Sequence, residues 1–211
     1  RMSSEQKFKD GDVLKMSFEA TNRTELLVFT DRQQVYKTRL SDFDDTKASA
    51  LGTYLPTKLS MDDGERVLEI ICPGDYRKNL LLFFENGKVA RLDLESYETK
   101  TNRKKLVNAY SDKSPLAAVY MISEEIDMAV FASDGRALVF NTTLLQVKTS
   151  RSTQGVGVMS LKKNSRVTSA APLADTVIQN VSRYRVRSLP AAGALLKEDN
   201  RGETQLSLMD D

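Results

Sequence analysis

Hydrophobic and polar positions alternate on either side of a turn signal in residues 80–94, LLLFFENGKVARLDL. An apolar run leads into Asn86-Gly87, and in the arm beyond it every second residue is apolar. Asn-Gly between two such arms is the strongest short signal for a β-hairpin. We therefore predict a hairpin here, with Leu92 and Leu94 facing a core and Arg91 facing outward.

The same pattern occurs three times along the chain. A shift of 54 residues places Phe29 on Phe83 and Lys37 on Arg91, and a shift of 48 residues places Phe131 on Phe83. A period of about 50 residues is typical of propeller-like arrays, in which each unit buries its apolar face against its neighbours. The sequence thus predicts an all-β, propeller-like fold of roughly three units. Phe29, Phe83 and Phe131 are expected to be buried, and Lys37 and Arg91 exposed.

The repeat divides the chain into an array, 1–174, and an extension, 175–211. The predicted units are 21–78, 79–126 and 127–174. A strand predicted at 11–19 either trails an earlier repeat or completes the next unit. In the extension, VSRYRVRSL favours a strand and AAGALLKED a short helix. The polar end, 200–211, is predicted to be disordered and dispensable for folding.

Catalytic signals are missing from this sequence. It contains no histidine, the commonest general base and metal ligand, and no phosphate loop, nucleophile elbow or cysteine-pair motif. Tyr184 fits a strand better than a nucleophile, and Asp62, Asp63 and Glu65 lack the spacing of a calcium loop and fit a solvated turn. We predict a chain that is not an enzyme and holds no metal or cofactor. Since no apolar run of membrane-spanning length occurs, we expect a cytoplasmic protein without membrane contact.

Positive charge is concentrated in one part of the chain. Residues 135–174 hold six basic residues and no acidic one. This imbalance favours a polyanionic partner, with a solvated basic face as the alternative. The loops that follow the three hairpins begin at nearly the same distance from them, so their basic residues are expected to form a stripe along one edge of the array. Such a stripe is the footprint of a curved duplex backbone. The predicted DNA-binding residues are Lys47, Arg91, Lys100, Arg103, Lys104, Lys105, Arg136, Lys148, Arg151, Lys162, Lys163 and Arg166.

Several motifs in residues 11–174 resemble the C-terminal domain of the A subunits of bacterial type IIA topoisomerases, gyrase and topoisomerase IV. The hairpins LLVFTDRQQVYK, LLLFFENGKVARL and MAVFASDGRALVF resemble those of that family. KASALGTYLPTKLSMDDGERV resembles its Lys-Gly-Pro and Gly-Glu pattern, and RSTQGVGVMSLKK its Arg-x-x-x-Gly-Val pattern. Three weak motifs in order at the right period make the resemblance fairly specific.

The resemblance implies a β-pinwheel of four-stranded units that binds and bends or wraps double-stranded DNA on its outer rim. It also implies a non-catalytic domain of an ATP-dependent type II DNA topoisomerase. The other parts of such an enzyme would be the remaining domains of the homodimeric A subunit, together with the ATPase B subunit. Other domains would use ATP and magnesium. This domain would present DNA to the cleavage core for supercoiling or decatenation.

One departure from the family leaves two explanations open. Gyrase A subunits carry the box Gln-Arg-Arg-Gly-Gly-Arg-Gly on their first unit, and this sequence contains no such string. Either the first unit lies before this sequence, or the protein is closer to topoisomerase IV, which we favour. A hypothesis from another class is a propeller-like scaffold for protein partners, whose binding would depend far less on salt than DNA binding does.

Overall fold

The computed structural model describes residues 13–47, 50–99 and 103–201. In this part of the chain the regular structure is mainly β, as the hydrophobic pattern predicts. One short α-helix spans Leu55–Lys58, and brief 3-10 helices span Leu40–Asp42, Leu94–Tyr97, Thr142–Leu144, Leu173–Asp175, Val181–Arg183 and Glu198–Asn200. The strands are β1 (Glu25–Thr30), β2 (Val35–Arg39), β3 (Val67–Ile71), β4 (Asn79–Phe84), β5 (Lys88–Asp93), β6 (Lys105–Leu106), β7 (Leu116–Ile122), β8 (Asp127–Ala132), β9 (Arg136–Asn141), β10 (Val147–Lys148), β11 (Val156–Gly157), β12 (Val167–Pro172) and β13 (Ala194–Leu195).

The three predicted hairpins form in equivalent registers. They are β1–β2, β4–β5 and β8–β9, and their last cross-strand pairs before the turn are Phe29 with Val35, Phe83 with Val89 and Phe131 with Ala137. These pairs superpose under the same shifts that align the sequence, so the hairpin predictions are confirmed.

The second and third hairpin turns follow from their residues. Gly87 and Gly135 have φ values of 85° and 80°, which a residue without a Cβ adopts at little cost. The side chains of Asn86 and Asp134 accept hydrogen bonds from the backbone N–H groups two residues later, at 3.1 and 3.2 Å. Asn-Gly and Asp-Gly therefore act as the sequence predicts.

The strands of the described residues form three sheets that interlock along the chain. Sheet one has the order β3-β1-β2-β6, sheet two has β7-β4-β5 with β10 and β11 both paired to β5, and sheet three has β12-β8-β9-β13. In each sheet the strand beyond the hairpin comes from chain that follows the next hairpin or, for β13, from the extension. We call these segments the crossing loops: 94–99 with 103–106 on sheet one, and 142–157 on sheet two. Sheets one and two therefore each contain chain from two of the predicted units, and sheet three combines the third unit with the extension.

The core lies between successive sheets, so the central hairpin is buried on both faces. On β4, Leu80 and Leu82 belong to the cluster shared with sheet one, whereas Leu81 and Phe83 belong to the cluster shared with sheet three. Phe29 and Phe83 are fully buried, as predicted. Phe131 is only half-buried, because its face of sheet three is covered by the extension rather than by another sheet.

The strand predicted at 11–19 is wrong for its described part. Residues 13–20 have no regular structure, and Val13 and Leu14 are 69% and 58% exposed. Alternation alone does not make a strand when no neighbouring strand supplies hydrogen bonds and no core covers the apolar side chains. Residues 11 and 12 lie outside the described residues.

The extension also differs from its prediction. A 3-10 helix begins VSRYRVRSL, and AAGALLKED contains β13 followed by another 3-10 helix. Tyr184 is 1% exposed and Asn200 is 9% exposed, and the Asn200 side-chain amide donates to the Tyr184 hydroxyl at 2.7 Å. The prediction that 200–211 is disordered is therefore wrong for Asn200, while 202–211 lie outside the described residues.

Candidate nucleic-acid interface

The crossing loops lie on the outer edges of their sheets. At the opposite edges, the long strands converge, because β7 packs beside both β3 and β12. The strands β6, β10, β11 and β13 are each two residues long and pair with the far side of the hairpin. The loops that carry the predicted basic stripe therefore face away from the convergence of the sheets, along what we call the rim.

Exposed cations stand on the rim of sheets one and two. Arg103 and Lys104 precede β6, and Lys148 lies in β10. Lys162 and Lys163 are also exposed, but they lie in the turn before β12, the strand at the edge of sheet three opposite the rim. Within the described part of the chain none of these five side chains forms a salt bridge, so their charges are available to an anion. Lys47 is likewise exposed, and Lys100 lies outside the described residues.

Arg91 is not part of this exposed set, and the prediction that it points outward is wrong. Its side chain is 10% exposed and pairs with both carboxylate oxygens of Glu125, at 3.0 and 2.8 Å. It also donates to the Asn79 side chain and, at 2.9 Å, to the Thr142 carbonyl. Arg91 thus joins sheet two to the start of the crossing loop of repeat three, and we withdraw it as a DNA contact.

Lys37, which aligns with Arg91, behaves in the same way. Its side chain is 7% exposed and lies 3.5 Å from the carboxylate of Glu25. Its ammonium group donates to the Tyr97 carbonyl and to the Thr99 hydroxyl, both in the next crossing loop. The prediction that Lys37 is exposed is wrong for the same reason: β2 and β5 are covered on both faces, so a cation on either strand needs partners from the next repeat.

We expect Arg91→Ala to lower the free energy of unfolding by about 2–3 kcal/mol. The change leaves the Glu125 carboxylate, the Asn79 side-chain oxygen and the Thr142 carbonyl without their donor. The loss should fall below the roughly 3–5 kcal/mol of a broken buried pair because Glu125 is 43% exposed. Chemical denaturation of Arg91→Ala and Arg91→Lys measures this loss, and the lysine variant should recover part of it. An Arg91→Ala variant as stable as the parent would contradict this role.

The acidic turn anchors the first crossing loop, and the prediction of a simple solvated turn is wrong for Glu65. Glu65 is 5% exposed and accepts hydrogen bonds from the hydroxyls of Thr30 and Tyr36. Burial and the Glu65 carboxylate raise the pKa of Tyr36 well above its usual range. Lys105 pairs with Asp62 at 3.3 Å, and hydrogen bonds from Gln34 and Lys105 lower the pKa of Asp62. Lys105 therefore holds β6 on sheet one.

Arg136 and Arg151 are also partly engaged by the protein. Arg136 lies 3.4 Å from the carboxylate of Asp134 and donates to the Gly193 carbonyl at 3.2 Å. The guanidinium of Arg151 lies 5.6 Å from the ring centroid of Tyr97, a cation–π contact that joins the crossing loop of repeat three to that of repeat two.

The side chain of Arg166 is mostly exposed to solvent. Its side chain is 62% exposed, and its guanidinium nitrogen lies 3.9 Å from the carboxylate of Glu85. A pair at this distance and exposure is weak and leaves the cation accessible.

Two cations of the extension are absent from the predicted set. Arg183 and Arg187 are exposed and take part in no salt bridge within the described residues. Their sequence signal is the alternation of Arg183, Arg185 and Arg187. This pattern was interpreted only as a strand, although it also indicates a basic segment.

Comparison with known proteins identifies the repeats. Residues 24–72 and 127–174 match the family model of the DNA gyrase C-terminal domain, beta-propeller. The two matched segments, which together make up less than half of the chain, are similar to that domain. They contain the first and third hairpins, and the second hairpin lies between them in the same register.

Relatives named for gyrase share this region. The DNA gyrase A subunit of Metamycoplasma arthritidis is 23% identical over an alignment of 218 residues, which covers 96% of this chain and 24% of the relative. The chloroplastic/mitochondrial DNA gyrase A subunit of Arabidopsis thaliana is 28% identical over 146 residues, covering 68% of this chain and 15% of the relative. The chain thus spans less than a quarter of the length of these relatives.

Solved structures share the fold. The C-terminal domain of DNA topoisomerase IV superposes with a TM-score of 0.79 at 18% identity, over 92% of this chain and 66% of that one. The DNA gyrase A C-terminal domain superposes with a TM-score of 0.63, also at 18% identity, over 87% and 64%. None of the helices in the described ranges has the length and hydrophobicity needed to span a bilayer.

Proposed function

We propose that this chain is a double-stranded DNA-binding module that bends or wraps DNA along its rim. The observation that carries the proposal is the placement of Arg103, Lys104 and Lys148. They are exposed and form no salt bridge in the described residues, and they lie on crossing loops at the same edge of adjacent sheets. Such a series of separated cations suits the phosphate groups of a duplex, because these anions repeat at regular intervals along the DNA.

Contact with phosphates implies that binding is nearly independent of base sequence, because phosphates carry no base identity. The rim residues are lysines and arginines on short loops, and in the described part of the chain no helix long enough to lie along a major groove accompanies them. A duplex that follows the outer edges of successive twisted sheets must curve. The proposed role is therefore to hold DNA in a bent path.

The larger assembly belongs to the same proposal. The family supports an A subunit of a type II topoisomerase, gyrase or topoisomerase IV, in which this domain presents DNA to the attached cleavage core and performs no chemistry itself. The partners would be the remaining domains of the homodimeric A subunit, together with the ATPase B subunit. ATP and magnesium would be used by those other domains, in the cytoplasm.

The test is the salt dependence of duplex binding. Because each phosphate contact contributes about 0.9 to the slope of log affinity against log salt, we expect Arg103→Gln/Lys104→Gln to lower that slope by roughly two. Affinities for AT-rich and GC-rich duplexes of equal length should fall alike.

The matched control is Arg77→Gln/Lys78→Gln, which removes two exposed cations from the linker between β3 and β4. It should leave the slope nearly unchanged, with circular dichroism confirming that both variants fold. Parent binding that does not depend on salt would instead favour a scaffold for protein partners. A folded Arg103→Gln/Lys104→Gln variant with the parent slope would contradict the rim as the DNA site.

A further inference from the structure

The extension lies on sheet three where a crossing loop lies on sheet two. On sheet two, Val147 pairs in parallel with Arg91. On sheet three, Arg185 pairs in parallel with Val139, the residue that aligns with Arg91 under the 48-residue shift. Residues 147 and 185 therefore occupy the same position on successive sheets.

A second contact repeats the equivalence with the same spacing. Val156 pairs antiparallel with Val89, and Ala194 pairs antiparallel with Ala137. Both pairs of equivalent residues, 147 with 185 and 156 with 194, are 38 residues apart. The segment 185–195 thus corresponds along its whole length to 147–157. The spacing is shorter than the 48-residue repeat because no hairpin precedes the segment.

The glycines at the close approach to each sheet match as well. Gly155 and Gly193 both have positive φ, 74° and 70°. A Cβ at Gly155 would collide with the carbonyl of Val89, and a Cβ at Gly193 with that of Ala137. The same backbone shape is therefore built twice, once by repeat three and once by the extension.

The side chains of the extension divide into an inner and an outer set. Tyr184 is buried and Val186 packs on the core between sheets two and three. Arg185 pairs with Asp127 at 2.8 Å, so its charge is matched within the protein. Arg183 and Arg187 are exposed, and the acids in the described part of the extension, Asp175, Glu198 and Asp199, form no salt bridge with either of them.

We infer that Arg183 and Arg187 form a further phosphate-binding segment of the rim, which continues the DNA path from the crossing loops onto sheet three. The inference rests on the proposed function. It adds a site outside the repeats, at a segment that reproduces a crossing loop. The 38-residue offset places Val186 at the position of Lys148, so Arg187 follows that position directly and Arg183 lies just before the matched segment. A duplex that contacts the loops on sheets one and two meets the next pair of cations at the same edge of the next sheet.

Salt titration of duplex binding tests this segment on the full chain. We expect Arg183→Gln/Arg187→Gln to lower the slope of log affinity against log salt by roughly two, as two phosphate contacts are lost. Affinity for duplexes of increasing length should also reach its plateau at a shorter length in this variant than in the parent, because the DNA path loses its contacts on sheet three. The Arg77→Gln/Lys78→Gln control should keep the parent slope and the parent plateau length.

The outcomes separate this inference from the proposed function. If the Arg103→Gln/Lys104→Gln variant loses slope while Arg183→Gln/Arg187→Gln keeps the parent slope and plateau length, the extension is a structural cap only and the inference is overturned. An equal loss of slope in the Arg77→Gln/Lys78→Gln control would attribute the effect to net charge and also overturn it. If duplex binding by the parent does not depend on salt, the proposed function is wrong and the inference that rests on it is wrong as well.

Discussion

Phe83→Ala should lower the free energy of unfolding by about 3–5 kcal/mol, the usual cost of truncating a buried aromatic side chain. Phe83 is fully buried, and its ring centroid lies 6.5 Å from that of Phe140 on sheet three. The cavity would open inside the cluster that joins sheets two and three, where the backbone on both sides is fixed by strand pairing. Urea denaturation followed by circular dichroism measures the loss.

Phe18→Ala is the matched control, because Phe18 is 45% exposed and lies in the segment without regular structure. Its truncation should change stability by less than about 0.5 kcal/mol. Equal effects of the two substitutions would show that Phe83 is not the buried contact between sheets two and three.

Local signals were sufficient to predict the hairpins. Asn86-Gly87 and Asp134-Gly135 determine where the chain reverses, and alternating apolar residues on both arms then determine the register. The first hairpin lacks such a dipeptide and turns with Gln33 at a φ of 55°. It was found only because its arms align with the other two. The repeat alignment thus predicts the position of the first hairpin, which its own turn residues do not indicate.

The directions of individual cations were not predictable from alternation. In a sheet with one solvated face, Lys37 and Arg91 would point to water, and that was the expectation. The sheets here are stacked, so both side chains are largely covered and paired with Glu25 and Glu125. Their carbonyl partners come from the next repeat, 51 to 60 residues away along the chain, and no local pattern contains them.

The basic stripe was predictable as a set of loops but not residue by residue. Arg103, Lys104 and Lys148 are exposed at one edge, where the spacing placed them. Lys105 carries the same charge in the same run, yet it pairs with Asp62 because it is the first residue of β6. The register of β6 on sheet one determines which of the three cations becomes a strand residue. Residue composition does not predict that register.

The extension was mispredicted because its structural counterpart lies elsewhere in the chain. VSRYRVRSL alternates, and alternation favours a strand, but the equivalent segment in repeat three is a crossing loop with only two short strands. Alignment at the hairpin period could not find it, since the two segments are offset by 38 residues and share little beyond a glycine. The structural registers on β5 and β9 reveal the equivalence.

Removal of the Tyr184 side chain should detach the extension from sheet three. Tyr184 is 1% exposed, packs in the cluster with Ala137 and Val139, and its hydroxyl accepts from Asn200 at 2.7 Å. We expect Tyr184→Ala to lower the free energy of unfolding by about 3–5 kcal/mol, as for other large aromatic truncations. Tyr184→Phe should cost less, about 1–2 kcal/mol, because it removes only the hydrogen-bond partner.

Amide hydrogen exchange distinguishes detachment of the extension from general loosening of the fold. The N–H groups of Val186 and Leu196 donate to the carbonyls of Val139 and Gly135 on sheet three, so both should exchange much faster in Tyr184→Ala. The N–H of Lys37, which donates to the Lys104 carbonyl on sheet one, should exchange as in the parent once the change in global stability is subtracted. Uniformly faster exchange in all three would show that the extension and the repeats unfold as one unit. Unchanged exchange at Val186 and Leu196 would show that Tyr184 does not hold the extension in place.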